Sequence, residues 1–319
     1  MSTDLPNDNK PYAVIIGGAN MDICGAPSGT FCAQDSNPGT VTFSPGGVAR
    51  NIAENLALLG VDCRLIAAIG SDHYGAVLLE KGQNSGIDMR CMVQLKTHRT
   101  STYLCILDDT GDMYVAINDM AIDDQLTPER LQAHENMLKR ASLIVADTNL
   151  GGETLAYLAA NFNGQPLLID GVSTAKVMRI KPYLHSVHSL KVNRMEAEAL
   201  CGMRAANYET LLNIADWLHQ RGVKNVFITL GQEGVFYSDL IEQGLRSGHK
   251  QVNPVVNASG AGDAFVAGIA YAMLQHWGLV DSVQFAISAA NVAMSHQSTI
   301  NPAMSLATVN KILESQYAR

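Results

Sequence analysis

Short apolar β-forming runs alternate with helical patterns along most of this 319-residue chain, and this rhythm leaves few folds open. Residues 13–20 (AVIIGGAN), 64–70 (RLIAAIG), 143–147 (LIVAD), 166–170 (PLLID), 189–193 (SLKVN) and 225–231 (NVFITLG) read as buried strands. They lack the in–out alternation of a sheet wetted on one face. Between them lie helical stretches such as 48–60, where Val48, Ile52, Leu56 and Leu59 share one face and Gly60 supplies the stop. The expectation is an α/β fold with a mostly parallel central sheet flanked by helices. Two segments break the rhythm. Residues 22–45 are rich in Gly, Pro and Ser, and residues 100–119 form two strand-like arms around the turn DDTGD. Both suit a small β lid, in segments of about 22–45 and 97–120. No linker or repeat divides the chain, so 1–319 reads as a single domain, with helical periodicity over 261–276, 281–296 and 304–317.

Charge narrows the partners. Thirty acidic against 22 basic residues give a net charge of −8 with no Lys/Arg block, which argues against nucleic acid or an anionic membrane surface and for a small molecule. The start of the chain, MSTDLPNDNK, lacks the apolar core of a signal peptide, and no run is long enough to span a bilayer, so a cytoplasmic location is expected. Six scattered cysteines without a CxxC pair suit reduced packing thiols.

The stretch NASGAGDAF (257–265) carries the chemistry. Gly260 and Gly262 let backbone N–H groups converge at the start of a helix, where the dipole adds positive potential, so residues 260–262, including Ala261, form a cradle for an anion. Asp263 follows at once. A carboxylate beside a phosphate is repulsive unless it takes a proton from an attacking group, which is what a kinase requires. Taken alone, the same residues also describe an ordinary helix start with Asp263 favouring the dipole. A dinucleotide fingerprint is excluded because Phe265 stands where the third glycine belongs, and GGANMD (17–22) does not supply one after the first strand; no GxxxxGK[ST] P-loop occurs either. In SPGGVARNIAENLALLG (44–60), Gly46 and Gly47 open a helix, so their N–H groups and the Asn51 amide can meet ligand hydroxyls. Asn20 and Asp22 stand past the first strand, where α/β sheets bind ligands, and a carboxylate there can hold a vicinal diol.

GGVARNIAENLALLG and ASGAGDAFVAG, in this order and separation, resemble the two signatures of the ribokinase-like (PfkB) carbohydrate kinases. The resemblance covers nearly the whole chain. It implies a phosphotransferase that uses ATP and Mg²⁺, with Asp263 as base, the 260–262 backbone as anion hole, and Asp22, Gly46, Gly47 and Asn51 holding the sugar. KVNRMEAE (191–198) is similar to the family's NxxE motif, which places Asn193 and Glu196 near magnesium, with Glu196 acting through water. TLGQEG (229–234) is similar to its nucleotide-binding turn, pointing to Thr229, Gly231 and Gly234. Asn118 and Asn149, polar residues near strand ends, are further candidates for sugar or base contacts. Homodimerisation through the lid is also implied. Most of the family opens the second signature with Asp-Thr, whereas this chain has Asn257 and Ala258; a neutral Asn257 weakens the case for a K⁺ site. DSNPG (35–39), VAINDM (115–120) and VADTN (145–149) point within the family to a nucleoside acceptor phosphorylated at its ribose 5′-hydroxyl, with ribokinase or another sugar or nucleoside kinase as the alternative. A non-catalytic nucleoside sensor on the same fold is the rival from another class, and would be expected to lose Asp263 or the glycines, which are present.

Overall fold

The computed structural model describes residues 10–247 and 255–317; the polar segment 1–9 lies outside them. Its centre is an eight-stranded sheet in the order Gln243–Arg246, Val235–Ser238, Asn225–Thr229, Ser189–Asn193, Leu167–Asp170, Leu143–Asp147, Ala13–Ile16, Cys63–Ile66. From Asn225–Thr229 to Cys63–Ile66 every pairing is parallel, and the first two strands form an antiparallel edge that the sequence reading left unassigned. Both faces are covered, which explains the uninterrupted apolar runs. Val14 and Ile16 join one core with Ile144, Ala146, Leu155, Leu158 and Ile214. Ala13 and Ile15 point the other way, to a core with Val145, Ile52, Leu56, Phe265 and Ile269. Successive side chains serve opposite layers because the strand period is two.

Three expectations are adjusted. The run 64–70 is two strands, Cys63–Ile66 in the large sheet and Ala68–Gly70 paired with Val93–Leu95 in a separate two-stranded sheet. The runs 13–20 and 225–231 stop as large-sheet strands at Ile16 and Thr229, because Gly17 (φ 150°) and Gly231 (φ 62°) turn the chain toward the site. Of the six cysteines, none is in a disulfide, but only Cys63 is buried and Cys32 is exposed, so packing accounts for part of the set alone.

The irregular segments build a second sheet of four strands, Gly39–Gly46, Asn20–Pro27, Ser101–Leu107 and Met113–Asp119. Its register sorts the side chains by face. Asp22, Tyr103 and Asn118 lie in one cross-strand row, and Ile23 pairs with Phe43 and Leu104, which pairs with Ile117, in the next. The first row faces a cavity. The second belongs to an apolar surface on which Phe43 is 57% and Ile117 63% exposed.

The first strand sits where the chain reverses direction across the sheet: Cys63–Ile66 adds on one side and Leu143–Asp147 on the other. Loops leaving the carboxyl ends of these strands therefore diverge and open a crevice, the usual ligand position in open α/β sheets. No helix among the described residues is long and apolar enough to cross a membrane.

Candidate active site

Asp147 organises the crevice. It ends its strand fully buried, and Oδ2 accepts from the N–H of Gly18 (3.0 Å) and Ala49 (2.9 Å) while Oδ1 accepts from that of Asn149 (2.9 Å). One carboxyl thus ties the first-strand loop, the helix Val48–Leu58 and its own loop together. Gly17 is required here, since a Cβ would lie 2.4 Å from the Asp147 carboxyl. Burial raises Asp147 to about 6 despite these donors.

The helix Val48–Leu58 begins at Gly47, whose φ of 98° and close approach to Ala19 Cα (2.5 Å from an added Cβ) admit only glycine. Gly46 lies beneath Asp22, where a Cβ would come within 2.2 Å of Oδ2. Asp22 accepts from Asn20 Nδ2 (2.6 Å), and burial raises its carboxyl while Asn20 and Arg50 oppose the rise. Asn20, Asp22, Gly47, Asn51, Asn118 and Asn149 line one cavity of about 320 Å³, at the lower end of the sizes that hold small ligands. Gly46 supports it from outside the lining.

Asn51 lines the cavity and also bonds within the protein. Its Oδ1 accepts from Arg50 Nη1 (2.9 Å) and its Nδ2 donates to Asp263 Oδ2 (2.8 Å), so the side chain orients that carboxylate beside the cavity. Arg50 is itself buried, donating to Pro45 O (2.9 Å) and pairing with Glu54.

The helix Ala261–Leu274 starts from Gly260 in the left-handed conformation (φ 77°), with no side-chain cap. No acceptor among the described residues takes the N–H of Gly262 or Asp263, which leaves them available to an anion. Lys191, which sequence reasoning passed over inside KVNRMEAE, runs beneath this turn. A Cβ on Gly262 would lie 3.1 Å from its Nζ, which donates to Asp170 Oδ2 at 2.9 Å. Burial pushes Asp263 up to about 7, Asp170 and Asp147 push the same way, and Asn51 and Lys191 pull it down. A carboxyl titrating near neutrality, held by one donor and beside an unfilled N–H cradle, is suited to accept a proton.

A second cavity, of about 380 Å³, opens beyond the same turn, lined by Thr229, Gly231, Gly234, Val235, Ala261, Gly262, Phe265 and Asn291 among others. Its walls are mainly apolar, and Asn291 Nδ2 is buried there without a partner among the described residues. Asn193 and Glu196 lie outside that lining. They form the capping box of the helix Arg194–Cys201: Asn193 Oδ1 accepts from Glu196 N–H (2.9 Å), while Glu196 accepts from Asn193 N–H (2.8 Å) and Nδ2 (2.6 Å). With both Glu196 oxygens engaged, a cation would meet this pair through water, the habit of Mg²⁺ beside phosphates. Among the described residues no group of three His, Cys, Asp or Glu forms a ready metal cage. Asn257 is engaged too, its Oδ1 accepting from Ser259 N–H (2.9 Å) and its Nδ2 donating to Gln297 O (2.7 Å).

The first cavity is tied to Asp263 through Asn51, and the second is lined by Ala261 and Gly262 of the turn before it. The family model described as pfkB family carbohydrate kinase matches residues 10–306. The chain belongs to that family. A pfkB kinase is a phosphotransferase with a hydroxyl acceptor, and this one is 41% identical to the pseudouridine kinase of Escherichia coli K12, over 96% of this chain and 97% of the relative. It is 26% identical to the pseudouridine kinase of Arabidopsis thaliana, over 95% and 96%. Arabidopsis ribokinase, solved with ribose and ATP, superposes with a TM-score of 0.87 at 22% identity, covering 95% of this chain and 99% of that one, which shows the ribokinase-like fold.

Proposed function

We propose that this pfkB kinase transfers the γ-phosphate of ATP to the ribose 5′-hydroxyl of pseudouridine, giving pseudouridine 5′-phosphate and ADP. The observation that carries the chemistry is the Asn51–Asp263 hydrogen bond, which holds a near-neutral carboxyl between an acceptor cavity and the N–H cradle. The 41% identity over nearly the full length of a named pseudouridine kinase supports the acceptor. In this reading 1–319 is one kinase domain with the four-stranded sheet as its lid.

Asp22, with Asn20, accepts the ribose 2′- and 3′-hydroxyls, and the tight turn at Gly46 and Gly47 brings the sugar against the helix Val48–Leu58. That placement aims the 5′-hydroxyl at Asp263. As the 5′-oxygen bonds to the γ-phosphorus and the bond to the ADP oxygen breaks, the hydroxyl proton passes to the Asp263 carboxylate. Gly262 and Asp263 N–H groups, with Lys191 below them, stabilise the charge on the transferring group. Mg²⁺, near the Asn193–Glu196 pair, would neutralise phosphate charge. Thr229, Gly231, Gly234 and Asn291 hold the nucleotide. The lid's inner row, Asp22, Tyr103 and Asn118, covers the acceptor and excludes water. Its outer face, with Val41, Phe43, Val115 and Ile117 exposed, meets a second copy of the chain. The test is ADP release with pseudouridine, uridine, adenosine, ribose and fructose as acceptors. Preference for any other acceptor by kcat/KM would overturn the assignment.

A further inference from the structure

The acceptor cavity extends past the sugar residues to groups that the sugar and the reacting phosphate leave unused. At that end lie Met120, Asp123, Val172, Ser173 and Lys176. Asp123 follows the last lid strand, in a short 3₁₀ turn (Ala121–Gln125), and is only 4% exposed. Ser101 Oγ donates to its Oδ1 at 3.1 Å, and no donor among the described residues reaches Oδ2. Asp123 lines the cavity and Oδ2 is not sealed from solvent, so it stands there as an acceptor open to a donor on the ligand. Lys176 Nζ donates to Asn149 Oδ1 at 2.5 Å and lies near Met120 Sδ at 3.8 Å, so two of its three N–H donors have no oxygen or nitrogen acceptor among the described residues.

These groups line the cavity themselves, whereas Asp263 does not and touches it through Asn51. Asp263 has Asp170, Lys191 and Asn51 around it, whereas Asp123 has Lys176, Ser101 and Asp124; Asp147 lies between and is felt by both. With the 5′-hydroxyl at Asp263 and the diol at Asp22, the far end receives what hangs from C1′. Resting on the nucleoside-kinase reading above, we propose that Asp123 and Lys176 select the base. Asp123 Oδ2 accepts the additional ring N–H of a C-linked uracil, and Lys176 donates to a ring carbonyl. A uracil linked to ribose through carbon keeps an N–H at both ring nitrogens, whereas one linked through nitrogen keeps only one. Bound the same way round, uridine therefore presents its C5–H where pseudouridine offers its extra donor, and leaves the Asp123 oxygen facing it unpaired. A site built to bond an N–H discriminates strongly against the analogue that lacks it. Burial and the neighbouring Asp147 push Asp123 up to about 7, while the Ser101 hydroxyl and the Lys176 ammonium pull it back toward the charged, accepting form. Lys176 makes no such distinction, because both nucleosides carry two ring carbonyls.

The experiment measures kcat/KM for pseudouridine and uridine with the full chain, Asp123→Asn and Lys176→Met, with melting temperature and ATP affinity as controls for folding. In Asp123→Asn the Ser101 hydroxyl holds the amide oxygen, so the amide NH₂ meets the base N–H. Activity on pseudouridine should fall about 10²-fold while that on uridine changes by less than about 3-fold, erasing the wild-type preference. Lys176→Met should lower both nucleosides by similar factors, about 10-fold or more. An Asp123→Asn enzyme that keeps the wild-type preference, or loses both activities equally, overturns the assignment. A wild type that phosphorylates another acceptor but not pseudouridine overturns the substrate reading itself, and that result is visible before any variant is made.

Discussion

Replacing Asp263 by Asn separates a proton acceptor from a helix start by moving activity and stability in opposite directions. In the fold this carboxyl is pushed up to about 7 from its ordinary 3.8, chiefly because it is desolvated and faces Asp170. An acid whose folded pKa is raised binds more protons folded than unfolded between those two values. Stability therefore falls as pH rises from about 4 to about 7 and is flat above. Converting that gap gives a ceiling of about 4 kcal/mol carried by the charged form at pH 8. The amide removes the charge and preserves the size and the reach to Asn51, so Asp263→Asn should melt above the wild type at pH 8. The ceiling corresponds to an increase on the order of 5 °C for a chain of this length, and the difference should close toward pH 4.5. An amide accepts no proton, so single-turnover phosphorylation should fall roughly 10²- to 10⁴-fold. Both quantities are read on one preparation, by melting curves from pH 4.5 to 8.5 and by rapid-quench turnover with saturating ATP. If Asp263 only started the helix, turnover would persist, since asparagine caps about as well as aspartate. Near wild-type turnover, or a variant less stable at pH 8 than its parent, would refute the reasoning.

Asp22→Ala should weaken nucleoside binding at least about 10²-fold, the worth of two charge-assisted hydrogen bonds, with ATP affinity unchanged; calorimetry with each ligand alone decides it. Asn257→Asp should make activity more dependent on K⁺, because the substitution loses the donor to Gln297 O and sets a carboxylate against a carbonyl, whereas the wild type should respond only modestly. A wild type inactive without K⁺ would contradict this. The proposed pairing through the exposed lid face predicts that the wild type sediments as a dimer and Ile117→Lys as a monomer; a monomeric wild type, or a variant that stays dimeric, would refute it.

The most legible parts of the fold were those where local sequence and tertiary demand coincide. LIVAD and SLKVN are strands with the bounds the sequence predicts; LIVAD is apolar until its closing Asp147, and SLKVN keeps its β-forming residues around a buried Lys191. The lid arms follow from their turn residues, and the glycines at 46, 47 and 260 mark approaches too close for a Cβ, with Gly262 tight against the Lys191 ammonium. The edge strands Val235–Ser238 and Gln243–Arg246 were missed because short antiparallel edges carry weak periodicity. Residues 64–70 read as one strand because both halves are apolar, and only the separate pairing partners at Cys63–Ile66 and Ala68–Gly70 divide them.

The site divides along similar lines. Asp263, Gly260, Gly262, Asp22 and Asn51 were readable because their chemistry depends on neighbours a few residues away: a glycine turn, a helix start, a strand end. Asp147, Asp123, Lys176 and Lys191 were not. Asp147 holds Gly18 and Ala49 from 129 and 98 residues away, and Lys191 meets Gly262 across the sheet. Lys176 reaches Asn149 from the following loop. An acidic or basic residue, whether at a strand end like Asp147, inside a strand like Lys191 or in a turn like Asp123, carries no local mark of whether it is solvated or buried against a ligand. By itself the sequence determined a covered parallel sheet, a glycine cradle beside a carboxylate and a lid. Only the tertiary structure decided which distant charges close around them, because burial and long-range contact, which set the energy of a charge, exist only once the strands are assembled.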